Sequence, residues 1–106
     1  MREYSDTIKN KISFIIDEDA DRPESFNKSK LIIEEKYPNL QVLEYYPPFW
    51  ESGKFLFIID KIEVELFFTS FFGGTEIKVD NNVSEENKNK VRVLAKEIFD
   101  KINKND

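Results

Sequence analysis

The spacing of apolar residues changes twice along the chain. Tyr4, Ile8, Ile12, Ile15 and Ile16 recur three and four apart, which predicts one stripe of an amphipathic helix ending near Asp17. The acidic stretch Asp17, Glu18, Asp19, Ala20, Asp21, Arg22 then leads to Pro23, which cannot sit in a helix interior but suits the first turn of a second helix. That helix would bury Phe26, Ile33 and Tyr37, with Leu31 and Ile32 at its margins, and stop at Pro38.

Between Leu40 and Asp80 the period falls to two. A first strand, Leu40 to Tyr46, precedes a loop from Pro47 to Gly53. Lys54 to Ile59 and Ile62 to about Phe72 form two strands around an Asp60-Lys61 turn, and Gly73-Gly74 makes a two-residue hairpin into Thr75 to Asp80. Helical spacing then returns after Ser84, a good N-cap, with Glu85 and Glu86 in the first turn and Lys101 and Lys104 at the end. Its stripe is Val91, Leu94, Ala95, Ile98 and Ile102, and Glu86/Lys90 and Glu97/Lys101 pair four apart on the surface.

Two-residue turns would set Ile59 opposite Ile62 and Phe72 opposite Thr75, and counting outward from them sorts the strands into two faces. One face holds Phe55, Phe57, Ile59, Ile62, Val64, Leu66, Phe68, Phe72, Ile77 and Val79 and must be buried under helices. The other mixes Leu56, Ile58, Phe67, Thr69 and Phe71 with Glu63, Glu65, Glu76, Lys78 and Asp80. A one-residue slip would bury those unpaired charges, so this register is the favoured one. The expected architecture is a single α+β domain over residues 1–106 in two layers. It comprises a four-stranded antiparallel meander with three helices, two N-terminal and one C-terminal, mainly on one face. The mixed face is then covered by the first helix, shielded by strand ends, used as a contact surface, or used as a homodimer seam.

Composition narrows the function. The chain has 106 residues, a net charge of −5 and no basic stripe, which disfavours binding to nucleic acid and favours partners with basic surfaces. Cysteine and histidine are absent, which removes disulfides, thiolate and imidazole metal ligands, and every Ser-His or Cys-His nucleophile. No apolar run approaches the roughly 20 residues of a membrane-spanning helix, so a soluble cytoplasmic protein is expected.

Ten of the fifteen aromatic residues lie between Tyr45 and Phe72. Of these, Tyr45, Tyr46, Phe49 and Trp50 flank Pro47-Pro48, either as a stiffened recognition loop or as a lid over the core edge. Asp17, Asp19 and Asp21 have the alternate spacing of a calcium loop. However, Arg22 stands where that loop needs glycine and Lys28 where it needs the bidentate glutamate, so no metal site is expected. Gly73-Gly74 precedes a strand and is followed by no Walker lysine, which makes it a turn and not a phosphate cradle. Glu63 and Glu65 sit about 7 Å apart, as acids at alternate strand positions always do, and carry no catalytic signal on that ground.

The expectation is a non-enzymatic protein without cofactors: a small acidic inhibitor or neutraliser, similar in composition to immunity proteins or phage antagonists, that occludes a basic surface of a protein partner. The partner-binding residues would be Phe67, Phe71, Glu63, Glu65, Glu76, Tyr46, Phe49 and Trp50. The alternative is an adaptor or chaperone-type domain that homodimerises through the mixed sheet face.

Overall fold

A computed structural model describes residues 1–49, 51–71 and 73–103. It comprises strands β1 (Glu3–Asp6) and β2 (Lys11–Asp17), helix α1 (Pro23–Lys36), strands β3 (Gln41–Phe49), β4 (Ser52–Ile59), β5 (Ile62–Thr69) and β6 (Gly74–Asp80), and helix α2 (Glu85–Asn103). The strands form one antiparallel sheet of six, in the order β1-β2-β6-β5-β4-β3. The expected four-stranded meander with three helices is therefore overturned: among the described residues the sheet has two more strands and there is one helix fewer.

The N-terminal segment carries that difference. The helical stripe through Tyr4, Ile8 and Ile12 passed over Phe14, which is fully buried, and included Ile8, which is 94% exposed at a turn. Read as a strand, Lys11–Asp17 sends Ile12, Phe14 and Ile16 into the core at alternate positions. Isoleucine and phenylalanine favour that pleated surface over a helix. Asp6 closes the β1–β2 turn by accepting the N–H groups of Ile8 and Lys9, and Asn10 supplies the left-handed residue with φ 56°. β2 then joins the free edge of β6, with Phe14 opposite Ile77 and Ile12 opposite Val79.

The β4–β5 turn at Asp60-Lys61 has positive φ at both residues, 48° and 67°, as a type I′ hairpin requires, and sets Ile59 opposite Ile62. The β5–β6 connection differs from expectation. Thr69 pairs with Gly74 and Phe68 with Thr75, so β5 ends at Thr69 and Gly74 already belongs to β6. The displacement is an even number of residues, so the faces are unchanged. Phe55, Phe57, Ile59, Ile62, Val64, Leu66, Phe68, Ile77 and Val79 are all buried. Phe72, expected among them, and Trp50 lie outside the described residues.

Both helices bury their apolar stripes on this face: Phe26 and Ile33 from α1, and Val91, Leu94, Ala95 and Ile98 from α2, share one core cluster with the strands. α1 starts with Pro23 in its first turn, and Tyr37 N–H closes its end on the Ile33 carbonyl just before Pro38. Ser84 Oγ accepts the Asn87 N–H at the start of α2, as an N-cap does. The surface pairs on α2 differ from those expected: Glu97 reaches across to Lys36 of α1 at 2.9 Å, while Lys88 pairs with Glu85 and Lys96 with Asp100.

Candidate functional site

With both helices on the core side, the other face of the sheet has no helix over it among the described residues. Cross-strand pairing arranges its side chains in rows. One runs Tyr4, Ser13, Lys78, Glu65, Leu56, Glu44 across β1, β2, β6, β5, β4 and β3. The next runs Ile15, Glu76, Phe67, Lys54, Tyr46. A third starts with Asp6, Lys11 and Asp80 and continues on the far side with Glu63, Ile58 and Gln41. Six carboxylates stand against three lysines on this face, so much of the chain's negative charge lies here.

Those carboxylates are not equivalent. Glu76, expected at an open rim, is only 8% exposed, because Tyr4 Oη donates to its Oε2 at 2.9 Å and Lys78 Nζ lies 3.1 Å from its Oε1. Burial together with the bond to Glu76 raises the Tyr4 pKa, because the ionised phenolate would lose its hydrogen bond and face a carboxylate. Glu76 therefore serves the β1–β6 side of the fold and is not available to a partner. Glu44 is held at 3.1 Å by Lys54, whose pKa rises chiefly through that hydrogen bond. Asp6 and Asp80 accept backbone N–H groups in neighbouring turns. Glu63 and Glu65 remain, the first exposed and the second half-buried, with no ion pair among the described residues.

The aromatic residues are redistributed as well. Phe67 is on the face as expected, but Lys78 Nζ sits 4.4 Å over its ring, so the ring is half-buried under a cation. Phe71 lies beyond the end of β5, exposed in the turn, where its N–H donates to Thr69 Oγ1 at 3.2 Å. It is not part of the sheet face. Pro47 and Pro48, expected in a loop, belong to β3, which extends to Phe49 paired with Ser52. Proline fits because β3 is an edge strand, and Gly53 permits it: a Cβ there would lie 2.7 Å from Pro48 Cα.

The exposed apolar surface is concentrated on β3, at Val42, Leu43, Tyr45, Tyr46 and Phe49. A bulge between Val42 and Glu44 breaks the alternation there, turning Val42 and Tyr45 to the core side and Glu44 and Tyr46 to the open face. Of the expected residues, Phe67, Glu63, Glu65, Glu76 and Tyr46 share the open face, Phe49 lies at the end of its edge strand, and Phe71 stands apart.

One further polar cluster lies on the core side. Asp17 is buried; its Oδ2 accepts the Ser25 hydroxyl, its Oδ1 accepts the Asp19 N–H at 3.0 Å, and Arg22 Nε stands 3.6 Å away. This network ties the end of β2 to the start of α1. Among the described residues no three His, Cys, Asp or Glu side chains gather as a metal site, and no helix is long and apolar enough to cross a membrane. Compared with protein-family models, curated proteins and solved structures, the chain matches none.

Proposed function

We propose that the protein is a binding module that docks a basic protein surface on its open sheet face and so blocks it, the role of an inhibitor or neutraliser. The observation that carries this reading is a six-stranded sheet with both helices on one side and excess carboxylate on the other. Glu63 and Glu65 are the acids there that form no ion pair among the described residues, and they would meet Lys or Arg of the partner. Tyr46, exposed at the β3 end of the same face, supplies the aromatic anchor that interfaces favour. Phe67 contributes by stacking with Lys78, which also lies 3.1 Å from Glu76 and so is engaged within the fold.

Affinity capture with the tagged protein, repeated with Glu63→Lys/Glu65→Lys and with Tyr46→Ala, tests this. A basic protein should be retained by the original chain, lost with the charge-reversed variant, and inhibited in its own activity when bound. Retention unchanged by reversing both acids would refute the reading.

A further inference from the structure

The helices neutralise most of their charges within the chain. Lys30 with Glu34, Lys36 with Glu97, Lys88 with Glu85 and Lys96 with Asp100 all form ion pairs, at 2.6–3.1 Å. Glu86 and Lys90 do not, although they stand four apart on α2 with the acid first, the order that favours pairing. Among the described residues neither has an ion-pair partner, and Asp60 in the β4–β5 turn has none either.

These three side chains line one cavity of about 370 Å³ between the end of α1, the β4–β5 turn and α2. Ile59 and Leu94, 5% and 1% exposed, form its apolar floor, and the half-buried Tyr37 walls it just beyond α1. Its size is that of a small-molecule site, about 300–1,000 Å³. Lys36 also borders it, but Glu97 already holds that lysine at 2.9 Å, which leaves Lys90 as the cation open to a ligand. Asp60 is fixed at the rim by its turn, where both residues have positive φ, a conformation that aspartate tolerates and asparagine would hold equally well.

We infer that this cavity binds an α-amino acid with a large apolar side chain, as its zwitterion. Asp60 and Glu86 accept the ammonium group, Lys90 meets the carboxylate, and the side chain lies on Ile59, Leu94 and the Tyr37 ring. The unpaired charges select this ligand. A simple anion would face two carboxylates, and a simple cation would cover Lys90 without giving it a partner, which is costly. Only a molecule that carries both charges beside an apolar group satisfies all three side chains and the floor. Glu63, Glu65 and Tyr46 do not line the cavity, so the inference does not rest on the docking role of the open face.

Titration of the isotope-labelled protein with L-phenylalanine and with L-leucine, followed by NMR, tests this. The amide signals of Ile59, Asp60, Lys90 and Leu94 should shift and saturate. Phenethylamine, which lacks the carboxylate, and hydrocinnamate, which lacks the ammonium group, should each bind about tenfold or more weakly than L-phenylalanine, as loss of a charged hydrogen bond predicts. Lys90→Ala should weaken L-phenylalanine to the level of phenethylamine and leave phenethylamine unchanged. Asp60→Asn/Glu86→Gln, which keeps the turn, should weaken L-phenylalanine and not hydrocinnamate, a selective loss that misfolding could not produce. No saturable shift with either amino acid at millimolar concentration, equal binding of the three phenyl compounds, shifts confined to residues outside the cavity, or variants that bind as the original chain does would each overturn the inference.

Discussion

Gly74→Ala probes the junction between the N-terminal hairpin and the rest of the sheet. Gly74 has φ +73°, and a Cβ on it would meet the carbonyl oxygens of Asp17 at 2.2 Å and Asp19 at 2.8 Å. The left-handed conformation alone costs an L-residue about 1–2 kcal/mol. Both obstructing atoms are backbone, so relief requires β2 and β6 to separate, at a further cost of about 1–3 kcal/mol. Gly73→Ala is the matched control: its φ of +141° is also unfavourable for alanine, but nothing lies within 4 Å of the new methyl group. Steric overlap should make Gly74→Ala the more destabilising change by about 2 kcal/mol. In thermal unfolding that is a difference of roughly 8–16 °C between the two variants for a domain of this size. If the two variants unfold at the same temperature, the Asp17 and Asp19 carbonyls are not against Gly74. β2 would then not lie beside β6 as described.

Three other outcomes follow from named contacts. Ser25→Ala removes the hydroxyl that the buried Asp17 carboxylate accepts and should cost about 1.5–3 kcal/mol in urea unfolding, as hydrogen bonds to charged groups do. Tyr4, 43% exposed but partly desolvated and hydrogen-bonded to Glu76, should ionise above its ordinary value of 10.0 in an ultraviolet titration differenced against Tyr4→Phe. Because the folded value is raised, its stabilisation is present below that range and is lost as pH rises through it, and Glu76→Gln should shrink the shift. The Lys36–Glu97 contact between the helices lowers the Glu97 pKa through its hydrogen bond, so its contribution exists above the ordinary carboxylate range and disappears as pH falls through the depressed value. Glu97→Gln should therefore cost up to about 1 kcal/mol at neutral pH, the limit for so exposed a pair, and nothing in strong acid.

The buried face of β4, β5 and β6 was legible in the sequence because alternation over eight residues and the Asp60-Lys61 turn both pointed to one register. Two adjacent glycines suggest a turn centred on them, whereas Gly74 pairs with Thr69 inside the sheet; the displacement is even and leaves the faces intact. At the N-terminus the isoleucines at positions 8, 12, 15 and 16 fit a helical period, whereas the strand buries Ile12, Phe14 and Ile16 in one core and leaves Ile8 in the turn. Phe14 and the Asp6–Asn10 turn were the signals that decide between them. β3 was cut short because proline usually ends a strand, and only the edge position of β3 removes that objection. Of the candidate site, alternation placed Phe67, Glu63 and Glu65 on their face. Alternation does not show engagement: Tyr4 and Lys78 take Glu76 out of the surface, and Tyr4 arrives from a strand whose apolar spacing also fits a helix.

Hydroxyl-radical footprinting of the protein, free and bound to the partner that it captures, tests the role of the open sheet face most directly. Binding there should protect Tyr46, Phe67, Leu56 and Ile58 and leave the outward-facing Leu31 and Val93 of the two helices as reactive as before. Protection of Leu31 or Val93, with the sheet face unchanged, would contradict it.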